Sequence, residues 1–264
     1  LYSSFQLLKK YISYWFHASN GKGHGVHSPF VFDFITSVLH GQQQHPDIKK
    51  IESLRKSLRK NDEKIEVVDF GAGSTTNAHS QRCISQIART ALKSPKYAQL
   101  LYRMAAHYQC KNVVELGTSL GLTTSYLALS GAEKVVSFEG SPSISALAQQ
   151  HFDSLNINNI DIIEGNVDLT LPNYLESSPQ IDMAFIDANH RAEPTIAYFN
   201  HLLKHAHEQT IFVFDDIHWS SDMETAWRQI QSHEKVTMTI DLFFFGIVLI
   251  KKDFKEPQHF RIRF

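Results

Sequence analysis

One stretch constrains what this chain can fold into more than any other: Asn112 to Ser130, NVVELGTSLGLTTSYLALS. Val113 and Val114 open it as a short buried strand. Glu115 follows, then the tight turn Gly117-Thr118-Ser119. Gly121 leads into a helix whose apolar positions are Leu122, Tyr126, Leu127 and Leu129. Strand, acid, glycine turn and helix describe a ligand site at the carboxyl end of a parallel strand. There glycine lets a ligand approach the backbone, and helix-start amides face it. A dinucleotide fingerprint needs G-x-G-x-x-G, with the second glycine admitting a pyrophosphate. Here the spacing is E-x-G-x-S-x-G, with Ser119 in the middle position.

From residue 96 onward, short apolar runs alternate with helical periods, which predicts a parallel sheet with crossover helices. Lys134 to Phe138 is the second strand, ending at Glu139-Gly140. An acid at that point can accept hydrogen bonds from both hydroxyls of a ribose. Ile160 to Ile163 is the third strand and runs into Glu164-Gly165-Asn166-Val167-Asp168. Ile181 to Ile186 is the fourth, followed by Asp187-Ala188-Asn189-His190. Ile211 to Phe214 is the fifth, followed by Asp215-Asp216-Ile217-His218. Val236 to Leu242 and Gly246 to Ile250 predict a closing antiparallel pair, and the tail from Asp253 reads as peripheral.

A second strand-acid-glycine element, Ile65 to Ser74 (IEVVDFGAGS), competes for the same ligand. A ribose-binding acid should end the next strand ~20 residues on. Arg82 to Tyr108 instead reads as two helices separated near Ser94-Pro95. The later element is therefore assigned the cofactor. Asp69 to Ser74 either lines the site from the side or is a turn.

The front of the chain is helical. Residues 5–16 carry the apolar positions Phe5, Leu8, Ile12 and Trp15 or Phe16. A glycine-rich loop, Gly21 to Pro29, follows. Ser28-Pro29 reads as an N-cap with proline at the first helical position, opening a helix to about Leu39. Residues 47–60 form a third helix. This region is a lid, a dimerisation arm or a packing extension. Net charge bounds the partners: at −1 over 264 residues, no global field draws the chain to nucleic acid or membrane. No apolar run approaches the ~20 residues of a membrane span. Cys83 and Cys110 lack metal or CxxC spacing, so reduced cytoplasmic thiols are expected.

Chemistry concentrates after the fourth and fifth strands. Neighbouring strands lie ~4.8 Å apart, which brings Asp187 beside Asp215 and Asp216. Three carboxylates repel one another unless something positive sits among them, and a hard divalent cation such as magnesium is the economical answer. Otherwise these acids cap helices or bind a cationic amino group of the cofactor. His190 and His218 flank them as candidate general bases.

The order VELGTSLG, FEG, EGN, FIDANH, FDDIHW resembles the class I S-adenosylmethionine-dependent methyltransferases over about residues 96–252. It is similar in particular to the catechol and caffeoyl-CoA type O-methyltransferases, which often lack the middle glycine of motif I. The resemblance implies that Glu115, Gly117, Thr118, Ser119, Gly121, Glu139 and Gly140 hold S-adenosylmethionine. It also implies adenine contacts from Asn166 by its side chain and Val167 by its backbone, although Asn166 reads equally as a loop turn. In that family an acid after strand four and an Asp-Asn pair after strand five bind the metal. This carries Asp187, Asp215 and Asp216 over as ligands, with Asp216 standing where asparagine is usual. HSPFVFDFI followed by VDFGAGS resembles the front end of a group of bacterial methyltransferase-like proteins.

The expected fold is a Rossmann-like α/β sheet of seven strands, mostly parallel with an antiparallel closing strand, plus an N-terminal helical extension. The expected domains are 1–95 (extension or lid), 96–252 (methyltransferase) and 253–264 (tail). The expected reaction is O-methylation of a small hydroxylated molecule, with Asp187, His190 and His218 as catalytic candidates. No nucleic-acid or membrane partner is expected, and the N-terminal helices offer a homodimer interface. A nicotinamide-dependent oxidoreductase shares the acid at the second strand but is disfavoured by Ser119. A nucleic-acid methyltransferase would want a basic face or an N-P-P-Y tetrad. A non-catalytic binding protein would keep the same fold.

Overall fold

The computed structural model describes residues 1–19, 21–23, 28–69, 78–254 and 256–264. The competing glycines of the DFGAGS element, and His24 to His27 of the N-terminal loop, lie outside the described residues. The chain forms two compact units: Gln42–Pro179, and Leu1–Gly41 with Gln180–Phe264.

In the unit Gln42–Pro179, three parallel strands run side by side: β3 (Asn112–Leu116), β4 (Lys134–Glu139) and β5 (Ile160–Glu164). The parallel register sets Leu116 against Phe138 and Glu139 against Glu164, so the carboxyl ends of all three strands share one edge. Crossover helices α6 (Leu122–Ala128) and α7 (Pro142–Leu155) connect them, and α8 (Val167–Leu175) follows β5. β3 is buried from Val113 onward, as continuous apolar runs in parallel strands require.

The same unit holds α3 (Ile48–Leu58), α4 (Ile84–Thr90), α5 (Pro95–His107) and an antiparallel hairpin, β1 (Lys64–Asp69) with β2 (Ala78–Cys83). The two helices read between Arg82 and Tyr108 are α4 and α5; strand β2, AHSQRC, is an addition. Arg55 of α3 is 2% exposed and donates to Glu52 Oε1 (3.0 Å) and to the carbonyl of Lys93 (2.7 Å). Tyr126 of α6 donates its hydroxyl to the same Glu52 oxygen at 2.8 Å. Burial, reinforced by that carboxylate, pushes the Tyr126 phenol well above its ordinary value.

In the other unit, the strands lie in the order β10-β8-β9-β7-β6. β6 (Ile181–Ile186) and β7 (Ala206–Asp215) are parallel. β9 (Phe245–Leu249) runs antiparallel to β7 and to β8 (Met238–Asp241), which is the expected closing pair. β10 (Gln258–Arg261) corrects the expectation of a peripheral tail: it adds a strand parallel to β8, and Ile262 behind it is fully buried. Helices α9 (Ala192–Leu203) and α10 (Ser221–Gln231) cover the strands. Gly246 of β9 has no side chain because the Trp227 ring lies where one would go, 2.6 Å from an added Cβ.

Helix α1 (Ser4–His17) also belongs to this unit and starts in a capping box formed by Ser3 and Gln6. It buries Tyr14, whose hydroxyl donates to the carbonyls of Asp241 (3.3 Å) and Ile262. Its apolar positions face outward: Phe5 and Phe16 are each 76% exposed, Leu8 55%, Ile12 47% and Trp15 41%. The helix docks through its aromatic-polar side rather than through the face that periodicity marks as apolar. Ser28 caps α2 (Pro29–Asp33) with Pro29 in the first turn, as expected, and the helix continues as a π-helical stretch, Phe34–Leu39. Among the described residues, no helix is long and apolar enough to cross a membrane.

Candidate active site

The turn after β3 is shaped by backbone conformations that side chains rarely adopt. Gly117 has φ 103°, Ser119 φ 50° and Gly121 φ 76°. The amides of Gly117 and Thr118 both donate to the carbonyl of Phe138, at 3.0 and 3.1 Å, and so tie the turn to the end of β4. Glu115 is fully buried and accepts from Ser137 Oγ at 2.7 Å and from Thr124 Oγ1. Thr118 Oγ1 bonds Ser137 Oγ at 2.6 Å. Glu115 thus braces the turn from beneath. His151 of α7 holds the carbonyl of Leu120 at 2.9 Å through Nδ1. Burial pushes this imidazole below its ordinary pKa, with the Leu120 bond opposing, so Nδ1 carries the donated proton of a neutral ring.

Glu139 ends β4 with both carboxylate oxygens oriented by backbone. Ser119 N donates to Oε2 at 2.8 Å and Ser141 N to Oε1 at 2.9 Å. A carboxylate has about four acceptor positions, more than these two amides use, and a vicinal diol is a donor pair that matches it. The Ser119 hydroxyl is buried, with no partner among the described residues. A buried hydroxyl without a partner is costly, which suits a turn built to receive a polar ligand. The hairpin strand β1 lies against the same corner: Val68 N donates to Ser141 Oγ at 3.2 Å. Sequence reasoning missed Ser141, and the E-G-S-P spacing was its signal, since a residue in an N-cap position exposes its own amide to the preceding acid.

Asn166 accepts from the Asp168 amide at 3.0 Å and is the N-cap of α8, which is its turn role. Val167, the first residue of α8, is buried. Gly165 takes φ 125° and donates to the carbonyl of Glu139 at 2.9 Å, joining the ends of β4 and β5.

In the other unit, the register Ile186 to Phe214 brings Asp187 and Asp215 out together. Asp187, His190 and Asp215 each present a ligand atom within 4.8 Å of the others. His190 Nε2 lies 3.4 Å from Asp187 Oδ1. Asp215 is 2% exposed. The geometric group differs from the expected trio: Asp216 is outside it and His190 is inside. Asn189, His190 and Asp216 all have positive φ (67°, 49° and 53°), and these turns decide which side chains converge. His218 is held elsewhere. Its Nε2 meets Asp241 Oδ2 at 2.9 Å, its Nδ1 meets Glu224 Oε1 at 3.2 Å, and its ring stacks on Phe243. Glu224 in turn receives Tyr2 and Lys10, at 2.9 and 2.8 Å.

Residues 114–217 match the family model for a methyltransferase domain, and that span takes in the glycine turn, Glu139, Asn166 and the Asp187 and Asp215 loops. An O-methyltransferase from Bacillus cereus in complex with S-adenosylhomocysteine superposes with a TM-score of 0.56. It is 17% identical, over 83% of this chain and 97% of that one. This is the fold of the class I methyltransferases. The S-adenosylmethionine-bound O-methyltransferase TomG from Streptomyces achromogenes, involved in tomaymycin synthesis, gives 0.55 at 16% identity, covering 79% of this chain and 91% of its own. In sequence, the chain is 30% identical to a catechol O-methyltransferase of Niastella koreensis over 128 residues, 47% of this chain. It spans 57% of that relative's length. The resemblance read from the motifs, to the catechol and caffeoyl-CoA type of this fold, agrees with these matches.

Proposed function

We propose that this protein transfers the methyl group of S-adenosylmethionine to an oxygen of a small hydroxylated molecule. The observation that carries the reading is the Glu139 carboxylate, held by the Ser119 and Ser141 amides beside a strained glycine turn. A diol acceptor next to a turn that carries Ser119 in place of the middle glycine of a pyrophosphate-binding fingerprint suits a nucleoside sulfonium. Gly117, Thr118, Ser119 and Gly121 supply the turn, Glu139 and Gly140 the ribose side, and Val167 the adenine side.

In the reaction, the acceptor oxygen attacks the sulfonium methyl in line. The O–CH3 bond forms as the S–CH3 bond breaks, and sulfur keeps the electron pair as the neutral thioether. Most of the rate of such a displacement comes from positioning. The acceptor's proton goes to His190, whose ring is oriented by Asp187 at 3.4 Å. Two carboxylates and an imidazole also fit a divalent cation. Asp187 and Asp215 would hold it, and when bound it would lower the pKa of the acceptor hydroxyl.

Calorimetric titration with S-adenosylhomocysteine, with NAD alongside, tests the reading. Wild-type protein should bind the thioether nucleoside, and Glu139→Ala should lose at least ten-fold in affinity, about 1.4 kcal/mol. Absence of binding by the folded wild type, or preference for NAD, would sink it.

A further inference from the structure

Five large apolar side chains of α1, Phe5, Leu8, Ile12, Trp15 and Phe16, face solvent while the opposite side of the helix is fixed to its own unit. Tyr14 is buried beneath it, and Lys10 pairs with Glu224 at 2.8 Å. Arg263 donates to the Trp15 carbonyl at 2.7 Å and stacks its guanidinium over the indole. The helix is therefore held with this stripe outward. Phe244, 41% exposed, extends the patch across Tyr11, whose ring lies 6.2 Å away. Scattered apolar residues on a surface need no explanation, but a contiguous patch on one rigid face marks an interaction site.

We propose that this face pairs with the same face of a second copy of the chain across a two-fold axis. Phe5, Leu8, Ile12 and Trp15 are spaced three, four and three apart, which is the a/d seam of two packed helices. A two-fold contact needs one self-complementary patch, and a seam of this kind supplies it. Area agrees. At about 200 Å² for each large side chain, the exposed fractions of these six residues amount to roughly 650 Å² per protomer. Two copies would then bury roughly 1,300 Å², inside the range of stable protein interfaces. Charge argues against a lipid surface as the occupant. An interfacial helix carries many Lys or Arg on its polar side, whereas α1 has Lys9 and Lys10, and Lys10 is engaged by Glu224.

Sedimentation equilibrium between about 1 and 100 µM tests the proposal, because dimer mass depends on concentration. Wild type should approach twice the chain mass of 30.1 kDa. Leu8→Glu/Ile12→Glu should stay at one chain mass with an unchanged circular dichroism spectrum. If that pair fails to melt cooperatively, Phe16→Ser alone, at a 76% exposed position, carries the same comparison. A wild type that remains monomeric at the highest concentration overturns the proposal, as does a folded variant that still dimerises. Monomeric wild type that co-sediments with phosphatidylserine-containing vesicles would overturn it in favour of a lipid surface.

Discussion

Replacing Gly121 by alanine isolates the cost of the turn that opens α6. Two separate terms act at this position. The backbone sits at φ 76°, where an L side chain costs roughly 1–2 kcal/mol. The added Cβ would also stand 2.5 and 2.8 Å from two atoms of the Phe152 ring and 3.2 Å from the Ala148 Cβ. Phe152 and Ala148 are fully buried, so the ring has no free direction in which to move. Overpacking of this kind costs about 1–3 kcal/mol. The two terms together predict a loss of roughly 2–5 kcal/mol, which for a chain of this size lowers Tm by on the order of 5–15 °C. Differential scanning calorimetry without ligand measures it. Phe152→Leu in the same chain should relieve the clash but leave the φ term, so the double variant should recover about 1–3 kcal/mol relative to additivity. A Tm shift below about 2 °C, or strictly additive variants, would refute the reasoning.

Two further tests concern charge. Burial pushes the Glu224 carboxyl up, but hydrogen bonds from Lys10, Tyr2 and His218 outweigh it and hold the group below its ordinary value. A depressed carboxylate pKa contributes stability that is present above the unfolded value of about 4.5 and is lost as pH falls through the folded value. Urea melts from pH 6 down to pH 3 should therefore show a steeper acid loss in wild type than in Glu224→Gln, and parallel curves would count against the network. For the divalent site, Mn²⁺ titration followed by electron paramagnetic resonance should show that Asp215→Asn weakens binding by about ten-fold or more, since a buried anionic ligand is removed. An unchanged affinity would dismiss Asp215 as a ligand.

What the sequence made legible was local. Strand, Glu115, glycine turn and α6 are contiguous, so their order and spacing carry the structure directly. Glu139 and Asp187 were equally readable, because each ends an apolar run. Helix α1 shows where such reading stops: periodicity says which side chains share a face, but not which face is buried. There Tyr14, a hydroxyl finding two carbonyls, turned the helix the other way. Strands β2 and β10 were invisible because AHSQRC and QHFR have no apolar alternation and exist through their partners. The exchange of Asp216 for His190 depends on positive φ at Asn189, His190 and Asp216, which those residue types permit without requiring.

The Glu52–Arg55–Tyr126 cluster ties the helix after the glycine turn to a part of the chain far upstream. Tyr126 lies on the helix that the glycine turn opens, and its hydroxyl ends on α3, far upstream. Arg55, almost wholly buried, neutralises the carboxylate that receives it. Removing α3 would take away the carboxylate that receives the phenol and uncover the far end of α6. The position of Gly121 is therefore anchored twice, once by Thr118 within its own loop and once by a carboxylate that sits before the first strand of the hairpin. Substitutions near residue 52 would reach the glycine turn as a change in stiffness, without touching any residue of the turn itself.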